Sequence, residues 1–282
     1  MIKLNHKKYL EVFRWSFKMQ IVWRFDVAMT MLATIVRILT AWVLWGAIFA
    51  HPAGTVQPAG MAYNEYIGVF NFQAMLSYYI VSSILISLDF SNKISDEIMW
   101  LIKDGGFSKH MVTPMNPFSF FSCMAAGESA FHLWFSYAAA FLCSLLFGVS
   151  VVFSADFLAV AAALIMIPLG LFFMMCFHYF LGILSFRFLN IRAVIYVSNN
   201  LTAFLTGALV PLALLPDALL NVMKLFPFYY VTYLPAMLLT GNCGASEALS
   251  GIAILACWVS AFLALNHFTY NRLRTSYEGV GI

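Results

Sequence analysis

Apolar residues collect along this chain in six runs, at roughly 26–50, 66–88, 118–150, 157–185, 193–215 and 248–270. Short segments rich in charge or proline separate them. Each run reaches the ~20 residues that an α-helix needs to cross a hydrocarbon layer of ~30 Å. Within that layer only helices or closed barrels satisfy their backbone polar groups, and unbroken apolar runs of this length specify helices. The third run is longer than a crossing requires, which predicts tilt or a portion outside the bilayer. Asn199, Asn200 and Gly207 interrupt the fifth. No internal repeat and no separate soluble domain is visible. The pattern predicts an all-α integral membrane protein whose 282 residues form a single transmembrane domain with six transmembrane helices.

Three segments beside the runs have patterns of their own. In 5–22, Lys7, Glu11, Arg14 and Lys18 recur at helical spacing opposite Tyr9, Phe13, Phe17 and Ile21, which predicts an amphipathic helix lying at the membrane interface. The segment 89–117 holds the densest charge in the chain. Within it Ser95 is placed to cap a short helix over 94–106, with Ile98, Leu101 and Ile102 on one face and Gly105-Gly106 as its stop. An apolar face along the membrane and a charged outward face suit docking of another protein, and a solvated connector is the other reading. The third segment, 207–247, is apolar, yet Pro211, Pro216, Pro227 and Pro235 break any single span. Short helices dipping into the outer leaflet are predicted for 207–235, with Tyr229, Tyr230 and Tyr233 at the interface.

Composition strengthens the membrane reading: 63% of residues are hydrophobic and 10% charged, and the mean hydropathy is +0.87. An ordinary soluble domain carries about a quarter charged residues. The net charge of +3 is too small to argue for nucleic acid. With both termini on the inside, every Lys and Arg except Lys224 and Arg37 falls on the inner side, the asymmetry that orients membrane proteins. The first apolar run is too long for the core of a cleaved signal and reads as a retained span. Cys123, Cys143, Cys176 and Cys257 sit in apolar runs and Cys243 in a polar loop, with no spacing suited to metal or to a disulfide framework.

Two ionisable residues fall deep in predicted spans, Arg37 in the first and Glu128 in the third. Counted from the inner boundary their depths match, so a buried ion pair is predicted, within one subunit or across a dimer. Substrate or proton handling is the alternative. His132 and His178 are expected to make hydrogen-bonded helix contacts. No GxxxxGK[ST], HExxH or GxSxG motif occurs, which leaves no positive case for a nucleotide site, a metalloprotease or a hydrolase on this chain. An ion-coupled secondary transporter and a membrane-embedded enzyme remain as alternatives.

The stretch FKMQIVWRFD with Gln20, Arg24 and Asp26, the loop ISDEIMWLIKDGGFSKHMVTPMNP, the proline-broken GALVPLALLPDALLNVMKLFPFYYVTYLP and the tail RLRTSYEGVGI occur in the order found in permease subunits of type 2 ABC exporters. The chain resembles the six-span subfamily of that family over most of its length. One departure is the lack of a basic residue directly before Pro114. The resemblance implies a permease that is not itself catalytic and binds no cofactor, with ATP and Mg held by two copies of a separate ABC ATP-binding subunit. It implies a second permease, identical or related, around a path for hydrophobic or amphipathic cargo in contact with membrane lipid. It places the chain in a bacterial cytoplasmic (inner) membrane. It also implies that 94–106 is a coupling helix, with Ser95, Asp96, Glu97, Ile98, Leu101 and Ile102 contacting the ATPase. Segment 5–22 becomes a connecting helix, and 207–235, with Pro211, Pro216, Pro227 and Pro235, an outer gate.

Overall fold

A computed structural model describes residues 6–50, 70–149, 151–188 and 190–277, and eleven α-helices account for most of them. In chain order these are α1 (His6–Val22), α2 (Arg24–Ala50), α3 (Phe72–Ser87), α4 (Asn92–Lys103), α5 (Ser108–Val112), α6 (Pro117–Leu146), α7 (Phe157–Ile183), α8 (Arg192–Leu205), α9 (Asp217–Met223), α10 (Tyr233–Leu239) and α11 (Ala245–Leu273). The last residues of the tail, 278–282, lie outside the described residues, as do 66–69 at the start of the second apolar run. Helix starts reflect local chemistry. Pro117 occupies the first turn of α6, where no N–H is needed, and Asn116 accepts from the Phe118 N–H. Asp156 caps α7 in the same way through Leu158.

Five helical stretches among the described residues are long and apolar enough to cross a membrane: Arg24–Phe49, Phe72–Lys103, Pro117–Leu146, Phe157–Phe186 and Ala245–Leu273. The pair Asp217–Met223 and Pro227–Leu239, bent by 88°, makes a sixth if taken as one. The protein is an all-α membrane protein of five or six spans. The apolar run 193–215 is not one of them. Its helix, α8, has 14 residues and so measures about 21 Å. The chain turns at Gly207, with φ of 74°, and the Tyr78 hydroxyl donates to the Gly207 carbonyl at 2.8 Å. Beyond this turn protein covers the chain only in part: Leu212 is buried, while Leu209 is 61% exposed.

From Gly207 the chain folds back into the bundle. Each of the four prolines between residues 211 and 235 stands just before a short helical piece or in its first turn, where a missing N–H costs no hydrogen bond. Helix α10 is buried from Tyr233 to Leu238, packed against α7 and α3. Tyr229, Tyr230 and Tyr233 are buried in protein rather than turned outward: each is at most 5% exposed. They pack on one another and on Tyr78, and the Tyr230 hydroxyl donates to the Lys224 carbonyl.

At the opposite end Asp26, Lys93 and Glu128 meet at one level. Lys93 Nζ lies 3.0 Å from Glu128 Oε2 and 3.6 Å from Asp26 Oδ2. Beyond that level α4, α5, the first turns of α6 and the ends of α7 and α11 close around Ile98, Ile102, Phe107, Phe121, Ile183 and Phe186. Helix α1 flanks this base along α6. A Cβ on Gly127 would stand 2.6 Å from the Phe13 carbonyl oxygen, so only glycine permits this approach. Ser16 Oγ donates to the Met124 carbonyl at 2.7 Å, and His132 Nε2 lies 3.3 Å from Gln20 Oε1. The most buried face of α1 thus carries Ser16 and Gln20, while Ile21 of the predicted apolar stripe is 53% exposed.

Candidate functional site

Helix α4 comes after α3 across a break at residues 88–91, where Asp89 Oδ1 accepts hydrogen bonds from both N–H and Oγ of Ser91. Its apolar residues Ile94, Ile98 and Ile102 recur every fourth position and are 1%, 0% and 6% exposed. They are covered by α7 and the base of α6 rather than lying along a membrane surface. The close approach needs Gly182 of α7, where a Cβ would stand 2.9 Å from Ile98 Cβ. Asp104 ends the helix and Gly105 comes next with φ of 75°, the turn predicted for this glycine pair. Immediately after it Phe107 is fully buried, edge-on to Phe186.

Ser95 is not the cap of this helix. It lies a turn inside, its Oγ donating to the Asn92 carbonyl at 2.8 Å and standing 3.2 Å from Nδ1 of His178 on α7. His178 in turn borders a cavity of about 170 Å³ whose lining includes Asp89, Asn92, Asn199, Thr202 and Thr206. His132 and His178 thus make the hydrogen-bonded helix contacts expected of them.

The opposite face of α4 is open. Trp100 is 44% exposed, with Lys103 Nζ 5.3 Å and Arg192 Cζ 4.9 Å from its ring. Asn92, Lys93, Lys103 and Asp104 are exposed beside it, and Asp96, Glu97 and Leu101 are half-buried. Of the six residues assigned to this helix as docking contacts, Ser95, Ile98 and Ile102 point into the bundle. The outward surface includes Trp100 and Lys103, which apolar spacing does not reveal because it marks only the opposite face. In α5, burial and then Lys109 hold the His110 imidazole below its ordinary pKa range.

Arg37 and Glu128 do not pair within the chain. Ser129 Oγ donates to the Leu88 carbonyl at 2.6 Å, which puts Glu128 level with the end of α3 and beside Lys93. Counting depth along the sequence fails here because the first turns of α6 extend past α3 into the base, so Pro117 does not mark a membrane boundary. Arg37 sits midway along the 27 residues of α2, and its Nη1 donates to the Ser83 carbonyl at 3.5 Å.

Compared with known families, residues 61–281 match the model described as ABC-2 family transporter protein. The chain belongs to the ABC-2 transporter family. The match spans most of the chain, from before α3 to the tail, and leaves α1 and α2 outside it. Neither the curated proteins nor the solved structures give a match. An ABC-2 permease is the membrane component of a transporter, and membership implies association with an ABC ATP-binding subunit. In this permease the loop segment, the proline-broken helices and the last span fall inside the matched region, in the order read from the sequence.

Proposed function

We propose that this permease is the transmembrane half of an ATP-driven exporter, with α4 as the helix through which an ATP-binding subunit drives it. The observation that carries the reading is the two-sidedness of α4. One face is fixed to α7 by Ile94, Ile98 and Ile102, and the other presents Trp100 and Lys103 outward. A partner pressing on the outer face moves α7 through direct contact, and α7 carries α11 and α10 packed along it. Two arrangements of such a bundle, biased by nucleotide state, give alternating access.

The α4 end is then cytoplasmic, in a bacterial inner membrane. It carries Lys7, Lys8, Arg14, Lys18, Lys93, Lys103, Lys109, Arg187, Arg192, Arg272 and Arg274, against Lys224 at the other end. Helix α1, held along α6, is the connecting helix, and 207–235 is the outer gate. A second permease, identical or related, completes the path, with one ATP-binding subunit under each. An apolar cleft of about 1070 Å³ between α3, α6 and α7 supports hydrophobic or amphipathic cargo.

Isolation of the tagged chain from its native host in mild detergent tests this. The proposal requires a stoichiometric ATP-binding protein in the complex and transport that stops without ATP. A chain that comes out alone and transports on a proton gradient without ATP is a secondary transporter, and the proposal fails.

A further inference from the structure

Arg37 is a permanent cation midway along a membrane-spanning helix. A guanidinium offers five N–H donors, and the one hydrogen bond recorded for this side chain is the 3.5 Å contact with the Ser83 carbonyl. Ser83 itself is fully buried, and its hydroxyl has no hydrogen-bond partner. The threonines nearby on α2 turn their hydroxyl protons inward, Thr30 to Asp26, Thr34 to Thr30 and Thr40 to Val36. Arg37 and Ser83 thus hold unspent donors next to each other. An arginine at membrane depth faces an interior or a path and pairs with an anion.

The described carboxylates of the chain do not supply that anion. Asp26 and Glu128 are drawn together on Lys93 at the α4 end, and Arg37 stands eleven residues, about 16 Å, further along α2. Asp89 lies beside Ser91 at the same end. Asp156 begins α7 at the far end, where Glu247 is engaged with Lys224. None of the described carboxylates stands at the depth of Arg37. A second copy of the chain, related by symmetry about an axis through the membrane, presents the same described carboxylates at these same depths, so they leave the gap unfilled. A bilayer phosphate lies at the interface, away from the helix midpoint.

We infer that Arg37 receives the oxyanion of an amphipathic cargo, a phosphate or carboxylate on an alkyl chain, as it crosses the membrane. This rests on the permease reading and adds to it a place for α2 on the path and the charge of the cargo.

The test uses the permease, with whatever subunits purify with it, in nanodiscs of neutral lipid. Binding of dodecyl phosphate is compared with that of dodecyl maltoside and dodecyltrimethylammonium. The expected result is a preference of about tenfold or more for dodecyl phosphate, lost in Arg37→Gln and kept in large part in Arg37→Lys. A photoreactive dodecyl phosphate is expected to label α2 or α3 near residues 37 and 83 in the unaltered protein, which decides the matter if the variants fail to fold. Equal binding of the three probes, or labelling elsewhere, overturns the inference. Displacement of the probe by anionic phospholipid added to the nanodisc gives the site to the bilayer and overturns the cargo assignment. ATP hydrolysis by the same preparation is read separately. Its absence alongside a phosphate preference at Arg37 would count against ATP-driven export and leave the anion site standing.

Discussion

Ser95 and His178, 83 residues apart in sequence, meet at 3.2 Å in a buried contact that joins α4 to α7. Neither side chain is more than 1% exposed. Ser95→Ala leaves an imidazole nitrogen without its partner and is expected to cost about 1–3 kcal/mol. His178→Phe with Ser95→Ala removes both groups and is expected to cost less than the sum of the single changes. Thermal unfolding of the detergent-solubilised permease measures all three. Strict additivity would show that the contact contributes nothing.

The approach of α4 to α7 depends on the missing side chain at Gly182. Gly182→Val places methyl groups against Ile98 and is expected to destabilise by about 1–3 kcal/mol through overpacking. Combining it with Ile98→Ala makes room and is expected to restore part of the loss. A double variant less stable than Gly182→Val alone contradicts the packing described.

Lys93 bridges α2, α4 and α6 by facing Asp26 and Glu128. Lys93→Met strands Glu128, which is 13% exposed, and is expected to lower stability more than Glu128→Gln does. Adding Glu128→Gln to Lys93→Met is expected to recover part of that loss. Lys93 is 44% exposed, so the whole effect is screened and shrinks as salt is raised. Unfolding midpoints at low and high salt check both statements.

Much of the fold is legible in the sequence because hydrophobic run length reads directly as membrane crossing, and four of the six runs correspond closely to α2, α6, α7 and α11. The run 193–215 shows the limit. Hydropathy does not register the turn at Gly207, so a 14-residue helix and a turn read as a span. Depth is equally hidden. Glu128 counts as ten residues into its run, but where α6 enters the membrane depends on how far it projects past α3, a tertiary fact. For the candidate site, the spacing of Ile98, Leu101 and Ile102 locates the helix but leaves open which side is free. A helix prolonging a span has its apolar side taken by neighbouring spans, and this makes Trp100 and Lys103 the outward residues. The buried contacts of Ser16 and Gln20 on α1 are not legible in the sequence because polar residues read as solvent-facing, whereas here they meet the Met124 carbonyl and His132.

The central claim is that α4 receives the ATP-binding subunit on its outward face. The most direct measurement is recovery of that subunit with the tagged permease, comparing the unaltered chain with Trp100→Ala and with Lys103→Glu. Both positions are exposed, so the thermal midpoint of the permease is expected to hold while the recovered ATP-binding subunit falls about tenfold or more. Undiminished recovery of the subunit with both variants would contradict docking at α4.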